Sequence, residues 1–187
     1  MTRFLRALSR RWRAFIALRR ARASSRVRLE AGPVQRILVV CYGNIYRSPL
    51  LAEYLRTSLA DTAVVRSVGF HPRGGRASPE RHVQMCAELG VDLAPHRSAV
   101  IEHADLVWAD TVILMDRHNW DALHAMGAGP EKLVWAGCLH ERGPEIPDPY
   151  GHSEEAARRV VRTLLESGER LTTAIRGNPA GGHKAAP

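Results

Sequence analysis

The sequence predicts an α/β protein in three layers, a central four-stranded parallel sheet with helices on both faces. Three observations carry this. Short apolar, β-branched runs alternate with longer amphipathic stretches from residue 36 to residue 175. Loops bearing glycine or proline separate them. The first apolar run, RILVV at 36–40, leads directly into CYGNIYRSP, a loop that opens a helix. Ligands in such folds bind beyond the carboxyl ends of the strands, so this loop occupies the favoured position.

The elements follow in order. Residues 1–29 place Phe4, Leu8, Trp12, Phe15 and Ile16 at helical spacing with arginines between, a basic amphipathic helix. Such a helix suits an anionic membrane surface or a partner protein. The same composition fits a disordered arm or an organelle transit peptide. Ala31-Gly32-Pro33 is a linker. Arg36–Val40 is a buried strand. Ser48 caps a helix whose first turn accepts Pro49; it runs to about Leu59, with Leu50, Leu51, Tyr54 and Leu55 inward. Ala63–Val68 is the second strand, and His71–Ser78 a Gly- and Pro-rich loop. Pro79–Leu89 is a helix stopped by Gly90. Thr111–Met115 is the third strand, Arg117–Met126 a helix, and Leu133–Ala136 the fourth strand. Gly143–Gly151 is a loop, and Ser153–Ile175 a long amphipathic helix.

Length and composition suit a single domain: 187 residues, 45% hydrophobic. Three cysteines, Cys41, Cys86 and Cys138, are too few for a disulfide framework, which favours a reducing, intracellular setting. No apolar run reaches the ~20 residues that span a bilayer. The net charge of +8 is uneven. Residues 1–29 hold ten arginines and no acid, which leaves 17 basic against 19 acidic residues in the remainder. The high pI therefore describes the arm, and nucleic-acid binding by the domain is not indicated.

The loop at 41–48 has a chemistry of its own. A helix starting at its end aims several backbone N–H groups at one spot and adds its dipole, so the spot prefers an anion. Gly43 frees the backbone to turn. Asn44 tolerates left-handed geometry and can bond to neighbouring backbone. Arg47 offers a planar fork that matches two phosphate oxygens. Cys41 lies at the bottom, where the donors that suit phosphate also suit a thiolate. Ser48 can donate to that sulfur. Phosphoryl transfer to sulfur is the chemistry this arrangement serves. A bare Cys-x5-Arg spacing would carry little; the strand before it, Gly-Asn within it and Ser-Pro after it make it specific. A leaving oxygen needs a proton and the following water must lose one, which a single carboxyl group can manage. Asp148, stiffened by Pro147 and Pro149 and followed by Tyr150 as a ring for stacking, is the candidate.

These residues together resemble the low-molecular-weight protein tyrosine phosphatase family. Its loop, V-C-x-G-N-x-C-R-S-P, stands here as VCYGNIYRSP, and its D-P-Y segment as IPDPYG, about a hundred residues later. SVGF at 67–70, GVDLAPHRS at 90–98 and TVILMD at 111–116 also resemble family segments, so the likeness runs from about Arg36 to Ile175. The bacterial branch that acts with tyrosine autokinases in capsule and exopolysaccharide production is the nearest in character. The resemblance implies a flavodoxin-like sheet of order 2-1-3-4. With the Arg-rich arm and linker read at 1–33 and a flexible tail at 177–187, it implies a phosphatase domain at 34–176. It implies Cys41 as nucleophile, Arg47 as clamp on the phosphoryl oxygens, and Asp148 as general acid and then base. Phosphate and substrate would be held by Tyr42, Gly43, Asn44, Ile45, Tyr46, Ser48 and Tyr150. No metal or other cofactor is implied. The partners would be tyrosine-phosphorylated proteins, an autokinase among them, in the cytoplasm, with membrane-surface contact through residues 1–29.

Two departures stand out. Tyr46 replaces a second loop cysteine that in many members can form a disulfide with the nucleophile. Tyr42 is larger than the usual aliphatic residue. Two other readings stay open. A thioredoxin-coupled arsenate reductase would need Cys86 and Cys138 as an electron relay. A phosphotyrosine-binding module would hold phosphate without turnover.

Overall fold

The computed structural model describes residues 2–141 and 143–178. The elements are α1 (Thr2–Glu30), β1 (Arg36–Cys41), α2 (Arg47–Ser58), β2 (Val64–Gly69), α3 (Glu80–Ala87), α4 (His103–Trp108), β3 (Thr111–Leu114), α5 (Arg117–Ala125), β4 (Leu133–Trp135) and α6 (Glu154–Arg176). The sheet has the expected order β2-β1-β3-β4, and its three pairings are parallel. The β1–α2–β2 and β3–α5–β4 connections cross the sheet in opposite directions. Right-handed crossovers therefore put α2 and α5 on opposite faces.

β1 is the middle of the core. Ile37 to Val40 are fully buried, as expected of a strand covered on both faces. The register sets Cys41 beside Gly69 of β2, and Val40 beside Leu114 of β3. The residues just past these ends thus share one edge of the sheet. Helix α6 presents Val160, Val161, Leu164, Ser167, Gly168, Leu171 and Ile175 as its buried stripe. Gly168 is there for closeness: a Cβ would lie 2.5 Å from Tyr54 Cδ1 on α2. Tyr54 is accordingly half-buried, while Leu50, Leu51 and Leu55 are fully enclosed.

Three features differ from the sequence expectation. Helix α4 was unforeseen, because HADLVW buries only Leu106 and has no apolar period. Its start is held locally instead, Glu102 N–H donating to Asp105 Oδ2 at 2.9 Å. Helix α2 begins at Arg47, one residue before the expected cap. Ser48 lies inside its first turn, and its hydroxyl serves the loop rather than the helix backbone. The third difference is α1, whose last turns pack on the domain. Ser25 Oγ accepts the Trp135 N–H at 3.0 Å and donates to Ala21 O at 2.7 Å. The outer edge of β4 is thereby occupied by the helix. Leu29 is buried. Arg28 Nη2 reaches Asp110 O and Thr111 Oγ1, both at 2.9 Å, while Asp110 Oδ2 takes the N–H groups of Gln35 and Arg36. The side chains of Phe4, Leu8 and Phe15, and the tail from residue 179, lie outside the described residues.

Candidate active site

The loop between β1 and α2 wraps around the sulfur of Cys41, which is 2% exposed. Asn44 N–H donates to Sγ at 3.2 Å, and Ser48 Oγ lies 3.0 Å from it. Asn44 holds the turn with φ 49°, the left-handed conformation expected of it. Its side chain is a three-way brace. Nδ2 donates to Ser48 Oγ at 2.9 Å and Ser67 Oγ at 3.1 Å, and Oδ1 accepts the Ala99 N–H at 2.8 Å. Asn44 and Ser48 are fully buried and do not line the cavity, so their part is to shape the loop behind the sulfur.

The loop's carbonyls are held from outside. Tyr42 O accepts His71 N–H at 2.9 Å, Gly43 O accepts Arg76 Nη2 at 2.5 Å, Asn44 O accepts His96 Nε2 at 2.8 Å, and Tyr46 O accepts His82 Nε2 at 2.9 Å. Four carbonyls tied to outer partners leave the N–H side of the loop for the concave face. That is the polarity an oxyanion needs. Burial pushes His82 and His96 below the ordinary imidazole range; each donates to a carbonyl from a largely enclosed ring. Gly69 makes the close approach possible: a Cβ there would lie 2.7 Å from Tyr42 O and 2.9 Å from Asn44 N.

Arg47 is 1% exposed, a cation inside the domain. Nη1 donates to Asp116 Oδ2 at 2.5 Å and to Ile146 O at 3.0 Å, and Nη2 donates to Asp148 Oδ2 at 2.5 Å. Nε is buried with no hydrogen-bond partner among the described residues. Asp148 thus comes to the Cys41 loop across the sheet edge, its other oxygen accepting Tyr150 N–H at 3.1 Å. Asp116 was absent from the sequence-derived set. It follows the end of β3, which pairs with β1, by two residues and caps α5 through Asn119 N–H at 2.9 Å. Its position at a strand's carboxyl end, next to the strand carrying Cys41, was the available signal.

A cavity of ≈ 300 Å³ opens above Cys41 and Arg47. Tyr42, Gly43, Ile45, Tyr46, His71, Arg76, Asp148 and Tyr150 line it. Tyr46 is a wall: its ring lies 4.9 Å from that of His82 and 6.4 Å, edge to face, from that of Tyr150. Burial first, then the nearby Tyr150 and Asp148, push its hydroxyl above the ordinary phenol range. Tyr42 meets His71 edge-on, and both line the cavity. Cys86 and Cys138 are fully buried thiols, pushed up by burial to about 12 and about 11. Neither lines the cavity.

Known proteins share this architecture. Residues 36–180 match the family described as low molecular weight phosphotyrosine protein phosphatase. A probable low molecular weight protein-tyrosine-phosphatase EpsP of Ralstonia nicotianae is 35% identical over 133 residues, covering 69% of this chain and 90% of that protein. The tyrosine phosphatase Wzb of Escherichia coli K30, solved with sulphate, superposes with a TM-score of 0.69 at 26% identity, over 74% of this chain and 96% of that one. The YwlE arginine phosphatase of Geobacillus stearothermophilus superposes at 0.72 and 25% identity, over 81% and 99%. With a family match that begins at the first strand, holds the whole loop and cavity, and ends beyond the last helix, the chain belongs to the low molecular weight phosphotyrosine protein phosphatase family.

Proposed function

We propose that residues 34–176 hydrolyse phosphotyrosine in proteins through a phosphocysteine intermediate. The observation that carries this is one juxtaposition. The Cys41 sulfur lies in an N–H-lined loop at the bottom of an aromatic-walled cavity, with Arg47 and Asp148 in contact at its edge. A phosphoryl group held by the loop would satisfy Arg47 Nε, a buried donor whose lack of a partner costs about 1–3 kcal/mol. It would also replace Asp148 on Nη2, while Asp116 and Ile146 O keep Nη1 in place.

The released Asp148 takes up a proton from solvent and passes it to the leaving phenol oxygen as the Cys41 thiolate bonds to phosphorus and the P–O bond breaks. In the second half, Asp148 takes a proton from water. The water oxygen bonds to phosphorus, the P–S bond breaks, and Ser48 steadies the departing thiolate. Loop N–H groups and Arg47 stabilise the charge on the equatorial oxygens in both halves. Tyr42, Tyr46 and Tyr150 suit an aryl ring, and the burial of the Cys41 sulfur favours the long tyrosyl stem over a serine ester.

The physiological substrate fits a tyrosine autokinase of exopolysaccharide or capsule production, a reading supported by the likeness to EpsP and Wzb. Localisation is proposed as cytoplasmic and peripheral to the membrane. No helix among the described residues is long and apolar enough to cross a membrane. The acid-free arm of ten arginines suits an anionic lipid surface. Buried Cys86 and Cys138 offer no relay for arsenate reduction.

The test is hydrolysis of para-nitrophenyl phosphate and of phosphotyrosine, phosphoserine and phosphoarginine peptides from pH 4 to 8. Wild type is compared with Cys41→Ser and Asp148→Ala. The expected result is turnover of phosphotyrosine above the others, none by Cys41→Ser, and a loss of ~10²–10⁴-fold in Asp148→Ala. Phosphate binding without turnover would make the chain a binding module. Preference for phosphoarginine would move it toward YwlE.

A further inference from the structure

One side of the cavity carries charge that the hydrolytic reaction does not use. The β2–α3 loop brings Arg76 into the cavity wall and leaves Arg73 exposed beside it. The loop is clamped. Arg76 N–H donates to Ser98 Oγ at 3.0 Å, Ser98 N–H to Arg76 O at 2.8 Å, and Gly75 N–H to Ser98 O at 2.6 Å, with Gly75 at φ 72°. The Arg76 guanidinium is fixed in turn: Nε donates to Arg73 O at 3.0 Å and Nη2 to Gly43 O at 2.5 Å. Both acceptors are neutral carbonyls. Its remaining donors have no hydrogen-bond partner, and neither Arg73 nor Arg76 has an ion-pair partner, among the described residues.

The acids near the cavity are spoken for. Asp116 and Asp148 both sit on Arg47. A pre-positioned guanidinium with free donors, half-buried at the rim, is a receptor for a carboxylate. In an extended peptide, neighbours of the phosphotyrosine lie ~3.3 Å apart along the chain, within reach of this rim. We infer that Arg76, with Arg73, selects phosphotyrosine segments carrying acidic residues next to the phosphotyrosine. This rests on the proposed phosphotyrosine reading and names its substrate class.

The test uses three phosphotyrosine peptides that differ only in the flanking residues: Glu, Ala or Lys on each side. The full chain is assayed for kcat/KM, and Cys41→Ser for Kd, with para-nitrophenyl phosphate as a substrate that has no flanks. The expected ratio of Glu to Ala peptide is roughly three- to tenfold in both measurements, falling as salt rises. In Arg76→Gln and Arg73→Gln the ratio should collapse toward one; Arg76→Lys should retain part of it. Because Arg76 also holds Gly43 O, Arg76→Gln will lower para-nitrophenyl phosphate turnover as well; only the peptide ratio reads selectivity. Equal handling of the Glu and Ala peptides by the wild type overturns the inference and leaves the phosphatase reading intact. So does loss in Arg76→Gln that is the same for all three peptides. An acid preference in Kd without any turnover supports the inference while removing the hydrolytic reading.

Discussion

Asp116 is the sharpest point at which to test the site. It gives one oxygen to each of two duties: Oδ2 takes Arg47 Nη1 at 2.5 Å, and Oδ1 takes Asn119 N–H at the start of α5. Asp116→Asn keeps the size but offers one acceptor oxygen and an NH2 group. If the oxygen stays with the helix cap, a donor faces a buried guanidinium; if it turns to Arg47, the cap is lost. Two unit charges ~4 Å apart at an effective dielectric of ~20 attract by about 4 kcal/mol, an upper figure here. Asp116 is 18% exposed and Ile146 O still accepts from Arg47 Nη1, so the ~1.5–3 kcal/mol of a charge-assisted hydrogen bond is the better guide. At ~1.4 kcal/mol per decade this is roughly a 10- to 150-fold loss of kcat/KM. Under the proposed mechanism, in which Arg47 acts on charge that spreads in the transition state, it should fall mainly on kcat. Steady-state kinetics with para-nitrophenyl phosphate at fixed pH, alongside a melting curve, give the answer. A folded Asp116→Asn protein within twofold of wild type would show that Arg47 does not depend on this carboxylate.

Gly69→Ala drives a methyl group into Tyr42 O and Asn44, so it should cost ~1–3 kcal/mol of stability and most of the activity; a fully active, equally stable variant would contradict the close approach. Burial lowers the pKa of His82 and His96, so these two rings bind fewer protons in the folded chain than in the unfolded one below pH ~6.5. Their contribution is complete above that pH and declines on acidification, and melting temperature against pH should have a shallower acid slope in His82→Gln; an unchanged slope counts against it. Ser25→Ala leaves the Trp135 N–H at the sheet edge without its partner, which should cost ~1–3 kcal/mol and lower the Tm by several degrees; no change would mean that α1 does not seal that edge. Mild peroxide should inactivate the enzyme with poor recovery by thiols, because Tyr46 cannot resolve an oxidised Cys41 and Cys86 and Cys138 are enclosed; full recovery on adding dithiothreitol would refute this.

The sequence by itself determined the alternation of strands and helices, the parallel sheet, and the loop from Cys41 to Ser48. These are local patterns. A β-branched run, a Gly-Asn turn and an amphipathic period are each legible within a dozen residues, because backbone preference and side-chain spacing act at that range. Asp148 was legible only as a carboxylate stiffened by two prolines; its contact with Arg47, 101 positions away, was not. Tertiary structure decided the rest of the site. Asp116 reaches Arg47 across 69 positions, His96 reaches Asn44 O across 52, His82 reaches Tyr46 O across 36, and Arg76 reaches Gly43 O across 33. Each is an ordinary residue in its own segment, a cap, a turn or a helix-face histidine. It acquires its role only when parallel register brings the ends of β1, β2 and β3 to one edge. The arm divides the same way: its helix is written in its own spacing, but the docking of Ser25, Arg28 and Leu29 depends on the open edge of β4. A strand edge and a loop carbonyl each need a hydrogen-bond partner, and which residue supplies it is settled by packing in three dimensions rather than by sequence neighbours.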